Sequence, residues 1–196
     1  NLVMKILLTS ALINRHFEER RKEYLKSIKY FEDEQLLDRV SIIETVIESN
    51  SFLEELGYDV FYSKTLNNSL KNKGVKEILA IKKYLDSINI DADELVVKLT
   101  GRYRLESNFF INSIMEDDND AYYLQVDNQT FFGCFAIKKK YLDEFISTLN
   151  LQEMEIGMIN IELMFANYLR DKKIKKKKLK KLDLYSNINN EDIVIW

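Results

Sequence analysis

Residues 95–105 read Leu-Val-Val-Lys-Leu-Thr-Gly-Arg-Tyr-Arg-Leu, and no other stretch narrows the possible folds as far. The first half is a β-branched apolar run without polar alternation, as in a strand buried on both faces. Such a strand needs helices above and below it, which is the plan of an α/β sheet. The run then breaks at Gly101 into a knot of Lys98, Thr100, Arg102, Tyr103 and Arg104. Cations and a hydroxyl beside a flexible glycine suit a bound anion, phosphate above all. In open α/β sheets the ligand crevice lies outside the carboxyl ends of the strands. Taken alone, the knot reads equally well as a turn with solvated basic side chains.

The neighbouring segments repeat the strand–helix plan. Met4 to Ile13 predicts a first strand running into Thr9, Ser10 and Ala11, small and hydroxyl residues that let backbone amides approach a nucleotide. Phe17 to Phe31 follows as an amphipathic helix with Arg15, Arg20 and Arg21 at its start, most simply solvated charges. Val40 to Val46 predicts a second strand, whose Glu44 either meets a ligand or caps the next turn. Ser51 to Leu56 reads as a short helix stopped by Gly57, and Asp59 to Ser63 as a third strand. A polar segment, Thr65 to Gly74, includes Asn68 and ends in Asn72-Lys73-Gly74. It leads into a helix over Val75 to Ile88; a helix start of this kind can offer free amides to an anion, and taken singly it is just as well a plain helix start.

Beyond the knot, Phe109 to Met115 predicts a helix, Tyr122 to Val126 and Phe131 to Lys138 predict strands, and Tyr141 to Leu149 a returning helix. Asp118-Asn119-Asp120 is formally an Asp-x-Asp, but it precedes a strand rather than ending one, so nothing rigid aims its carboxylates at a metal. Asp127 is better placed, ending an apolar strand beside Asn128 and Gln129. Gly133, inside a strand, predicts a close backbone approach or a bulge. Met158 to Leu169 predicts a long helix, and its Glu162 is either a pocket carboxylate or a boundary residue pointing to water. Ile193 to Trp196 is expected to pack back as an edge strand.

The chain has 196 residues, a single-domain length, with 46% hydrophobic and 31% charged residues. Net charge is −3, which gives no global case for nucleic acid. From residue 172 onward the chain is +5, because Lys172 to Lys181 holds eight lysines, and the remainder is −8. That run reads as a solvated helix face or, with Ile174 and Leu179 interleaved, as a dock on an anionic membrane. One histidine, His16, excludes a multi-histidine metal site. The one cysteine, Cys134, excludes an internal disulfide and reads as a small core residue. No apolar run reaches the ~18 residues of a membrane span and no signal peptide is apparent, so a cytoplasmic protein is expected.

The Asn72-Lys73-Gly74 helix start, followed some twenty-five residues later by Lys98-Leu99-Thr100-Gly101-Arg102-Tyr103, resembles a group of short bacterial and viral glycosyltransferases of the GT-A type. The resemblance spans most of the chain and rests on one hexapeptide. It implies a single domain over residues 1–196. Residues 4–150 would form a Rossmann-like core with a mixed, mainly parallel sheet flanked by helices, and residues 151–196 a helical, basic end. It also implies a nucleotide-sugar donor, transfer to a hydroxyl of a glycan or lipid-linked acceptor, and a place in surface glycan or glycoconjugate synthesis. Thr9, Ser10, Ala11, Arg15 and Asn68 would hold the nucleotide. Lys73, Lys98, Thr100, Gly101 and Arg102 would meet the diphosphate, and Tyr103 would stack on a sugar or base. Asp127 and Asn128 would bind donor-sugar hydroxyls, and Glu162 would be the general base for the acceptor. The family's Asp-x-Asp is replaced by the basic hexapeptide. Mn or Mg is therefore expected to give way to Lys and Arg, which stabilise leaving-group charge equally well.

Two other classes fit the sequence. One is a non-catalytic nucleotide- or sugar-binding module, which needs the anion knot but not Glu162 or Asp127. The other is an RNA-binding protein using the lysine run, against which the −8 of the remaining chain counts.

Overall fold

The computed structural model describes residues 3–13, 16–63, 70–188 and 191–194. In chain order the elements are β1 (Met4–Ser10), α1 (Phe17–Asp33), β2 (Val40–Glu44), α2 (Phe52–Glu55), β3 (Val60–Tyr62), α3 (Lys73–Ser87), β4 (Leu95–Thr100) and β5 (Tyr103–Leu105). Then come α4 (Phe109–Glu116), β6 (Ala121–Val126), β7 (Gln129–Lys138), α5 (Lys139–Thr148), α6 (Leu151–Gly157), α7 (Ile161–Asp171), β8 (Lys176–Leu179), β9 (Leu184–Ile188) and β10 (Glu191–Val194). Seven strands form one sheet in the order β3-β2-β1-β4-β7-β6-β8, and a small sheet runs β10-β9-β5. In the large sheet β7 alone runs against its neighbours, antiparallel to both β4 and β6. This is the mixed, mainly parallel α/β sheet expected from the apolar runs.

Strand alternation sorts the core into two layers. Ile6 and Leu8 of β1 and Val97 and Leu99 of β4 pack with Tyr24, Ile28 and Phe31 of α1. Leu7 and Val96, on the opposite face, pack with Val75, Ile78 and Ile81 of α3 and with Phe165 of α7. The connection from β1 therefore turns to one side of the sheet and the connection into β4 comes from the other. The carboxyl ends of β1 and β4, paired through Thr9 and Thr100, flank the topological switch point, where such sheets open a crevice.

The C-terminal part differs from expectation. It is helical through Asp171, but α6 and α7 are separate helices that meet at Met158, which has a left-handed backbone (φ 48°). The lysine run is a strand: β8 adds parallel to β6 at the edge of the large sheet. Leu179 is buried in the first layer and Ile174 packs on the second, so the two apolar residues proposed for lipid belong to the core. Lys172, Lys177 and Lys181 pair with Glu144, Asp117 and Asp183. Helical propensity of lysine yields here to a free strand edge, a tertiary condition that local sequence does not report. β10 is an edge strand as expected, while Ile195 and Trp196 lie outside the described residues. Among those residues no helix is long and apolar enough to cross a membrane.

Candidate functional site

A cleft of about 380 Å³ opens at the switch point, lined among others by Thr9, Ser10, Ala11, Lys73, Thr100 and Arg102. Six of the residues singled out in the sequence thus converge on one place. Gly101 lies directly beneath: its amide donates to the Thr9 carbonyl (2.8 Å). A Cβ there would stand 2.7 Å from that carbonyl oxygen and 2.8 Å from the Tyr24 ring, so only glycine lets the two strand ends approach this closely.

Three further lining residues, Arg20, Lys76 and Glu77, were not proposed from sequence. Arg20 is on the inner face of α1, not among its solvated charges, and its Nη1 donates to the Ala11 carbonyl (2.7 Å). One turn on, the Tyr24 hydroxyl accepts from the Ala11 amide (2.8 Å), and Glu23 accepts from Arg102 Nε (2.8 Å). The i, i+3, i+4 spacing of these three places them on one helix face, a signal that was available in the sequence. Glu44 is wholly buried and accepts from Ser10 Oγ (2.7 Å), the Leu12 amide (3.1 Å) and the Val46 amide (2.8 Å). It caps turns rather than meeting a ligand. The amides of Ala11 and Leu12 are thereby occupied, so anion contact falls to the cationic side chains. Lys73 and Lys76 form no ion pair among the described residues. Arg102, 40% exposed, lines the cleft while its Nε is held by Glu23.

Lys98 does not reach this cleft. It is in the middle of β4 on the α3 face, 1% exposed, where its ammonium meets Glu77 (2.8 Å), Thr100 Oγ1 (2.9 Å) and the Phe132 carbonyl (2.6 Å). All three protons are committed inside the protein, so a diphosphate gets no direct contact from it. Tyr103 stacks on Phe131 (5.7 Å between centroids, 29° between planes), above Gly133, whose missing Cβ makes room for both rings. Burial pushes the Tyr103 hydroxyl pKa up, Arg102 draws it back, and Glu77 and Glu162 add to the rise.

The α3 start is also not the open anion cradle its sequence suggests. Asn72 Oδ1 accepts from the amides of Gly74 (3.0 Å) and Val75 (3.3 Å). The Glu155 carboxylate takes the amides of Lys71 (2.5 Å) and Asn72 (3.0 Å). The protein supplies its own anion there. Beside it lies a second cavity of about 390 Å³, which shares Lys73 and Glu77 with the cleft and is lined also by Asn160 and Glu162. Glu162 is therefore a pocket carboxylate, half-buried at the start of α7.

Asp127 and Asn128 form the exposed two-residue turn between β6 and β7 and line neither cavity. The cause is strand length. Cys134 pairs with Leu99, so the five residues back to Gln129 carry the turn roughly 17 Å past the end of β4. Asp118 and Asp120 are at the opposite edge of the sheet, held by Lys138 at 3.5 and 2.9 Å. Arg15 and Asn68 lie outside the described residues. Among those residues no three His, Cys, Asp or Glu side chains gather as a metal site would require.

No protein-family model matches the chain, and no curated protein matches it by sequence. Solved structures do match in fold. A nucleoside-diphosphate-sugar pyrophosphorylase from Vibrio cholerae superposes with a TM-score of 0.59 at 13% identity, over 93% of this chain and 95% of its own. A Bacillus anthracis protein named as a glucose-1-phosphate thymidylyltransferase gives 0.59 at 9% identity, over 93% and 89%. One from Desulfovibrio desulfuricans, named as a nucleotide-diphospho-sugar transferase, gives 0.58 at 13%, over 91% and 80%. At these identities the likeness is one of architecture, and it places the chain among Rossmann-like folds of the GT-A and nucleotidyltransferase kind.

Proposed function

We propose that the chain is a nucleotide-sugar-dependent glycosyltransferase, moving a sugar from a nucleoside diphosphate to an acceptor hydroxyl of a glycan or lipid-linked glycan. The observation that carries this reading is the charge of the cleft. Arg20, Lys73, Lys76 and Arg102 surround the switch point, and of the four only Arg102 has a counter-ion among the described residues, Glu23. Oriented cations at the departing diphosphate stabilise its developing charge as a divalent ion would. On this reading Thr9, Ser10 and Ala11 border the nucleotide, Arg102 holds the diphosphate, and the second cavity takes the acceptor. Glu162 there accepts the proton of the attacking hydroxyl. Lys98 acts through Glu77, and Asp127 and Asn128 have no contact to make.

Nucleotidyl transfer is the second reading, favoured by the names of several structural neighbours. A triphosphate cradle built from backbone needs free amides, and those of Ala11 and Leu12 are spent on Tyr24 and Glu44, which favours sugar transfer. Purified protein is incubated with UDP-, GDP-, CDP- and dTDP-sugars, with and without manganese, and release of nucleoside diphosphate is followed. Slow donor hydrolysis is expected of a glycosyltransferase and not of a binding module. Pyrophosphate release from a nucleoside triphosphate and a sugar 1-phosphate would replace this reading with the second. Arg102→Ala is expected to abolish transfer, and because it leaves the buried Glu23 carboxylate without its partner, it is measured on folded protein and beside the double variant with Glu23→Gln, which removes both charges. Near-normal turnover in either folded variant would refute the diphosphate assignment.

A further inference from the structure

The cleft and the second cavity meet at one carboxylate, Glu77, which lines both. Its Oε1 is held twice, by Thr9 Oγ1 at 2.7 Å and by the ammonium of Lys98 at 2.8 Å. Its Oε2 has no partner among the described residues, and the side chain is 23% exposed. Lys98 is buried and donates its other protons to Thr100 and Phe132. The ammonium therefore serves Glu77, fixing its charge and the direction of its free oxygen. A carboxylate among four cations that bind phosphate cannot itself be a phosphate ligand. As an acceptor-only group it must meet donors. We infer that Glu77 Oε2 reads hydroxyl groups of the bound substrate, either the ribose diol of the nucleotide or a diol of the transferred sugar. This deepens the transferase reading and rests on it: in a nucleoside-diphosphate sugar both sets of hydroxyls flank the diphosphate, as Glu77 flanks the cationic cleft.

The test measures dissociation constants by calorimetry on the whole chain. The tightest binder among ADP, CDP, GDP, UDP and dTDP is compared with its 2′,3′-dideoxy counterpart. The glucose conjugate of that diphosphate is then compared with its 2-deoxy- and 3-deoxyglucose conjugates. Charged hydrogen bonds of this type correspond to roughly tenfold to a hundredfold in affinity, so the wild type should favour the hydroxyl-bearing ligand by at least tenfold in one arm. That arm identifies the diol. Glu77→Gln should bring the ratio within about twofold, with the other arm unmoved. Where Glu77→Gln does not fold because Lys98 is left unpaired, the double variant Glu77→Gln with Lys98→Met removes both charges and should give the same result. A preference that survives in the folded variant, or no preference in the wild type, overturns the role of Glu77 and leaves the transferase reading standing. Failure of every diphosphate to bind overturns both.

Discussion

At the scale of single residues, the pair formed by Lys98 and Glu77 shows what a linear reading misses. The lysine was visible as a cation near a strand end, and alternation along Val96, Lys98 and Thr100 already assigns it to one face. What the sequence does not show is which residue is its partner: Glu77, twenty-one positions earlier on α3, turns a candidate ligand into an internal counter-ion. The two halves of the pair differ in exposure, 1% for Lys98 against 23% for Glu77. Glu77→Gln strands an ammonium in the core, a loss on the order of 3–5 kcal/mol. Lys98→Met leaves a carboxylate that water can still reach, so it should cost clearly less. Urea unfolding of the two variants tests that order, and equal losses would mean that the pair shares one environment. Arg102, by contrast, was legible, because a cation immediately after a strand-ending glycine has few places to go except the edge of the sheet.

Among elements, most strands and helices could be read within a few residues because their apolar spacing is regular. The C-terminal lysines could not, since their strand exists only where β6 leaves an edge open. The α3 start is where the sequence puts it, and of its two readings, amides offered to an anion or a plain helix start, its hydrogen bonds favour the second. Its amides satisfy Asn72 and Glu155, and Asn72 Nδ2 also donates to the carbonyls of Met154 (3.0 Å) and Ile159 (2.9 Å). Asn72 thus ties the first turn of α3 to the α6–α7 junction that walls the second cavity. Asn72→Ala should cost about 2 kcal/mol and weaken acceptor use more than donor binding, which melting curves and initial rates at varied acceptor would reveal. The Lys71 amide, more than the Asn72 amide and the nearby lysine charges, holds the Glu155 carboxyl below its ordinary value of 4.5. Because the folded-state pKa is the lower one, this contact contributes fully above that ordinary value and is lost as acid takes the pH below it. Glu155→Gln should therefore flatten part of the fall in melting temperature below about pH 4.5. An unchanged acid limb would show that the contact does not form in solution.

For the whole molecule, sheet order decides where the site is. With β1 and β4 adjacent and their helices on opposite faces, the switch point and the two core layers follow together, and alternating apolar runs were enough to anticipate that plan. The position of the β6–β7 turn was not foreseeable, since the overhang of β7 depends on its register with β4. Cys134 sits in the first layer with no exposed surface, and burial pushes its thiol pKa well above the usual range. Iodoacetamide should leave the native protein unlabelled for as long as it stays folded, and labelling should follow the denaturant curve. Rapid modification without denaturant would mean that this layer opens locally.

The outermost strand of the main sheet carries Lys176, Lys177 and Lys178 in succession. Its unpaired backbone edge is the place where a neighbouring molecule would otherwise extend the ladder into a fibril. Lys177 is paired with Asp117 and the Lys176 ammonium meets carbonyls at the end of α7, so the exposed Lys178 is the charge left to discourage a further strand, and what reads in the sequence as a basic tail serves in the fold to finish the sheet.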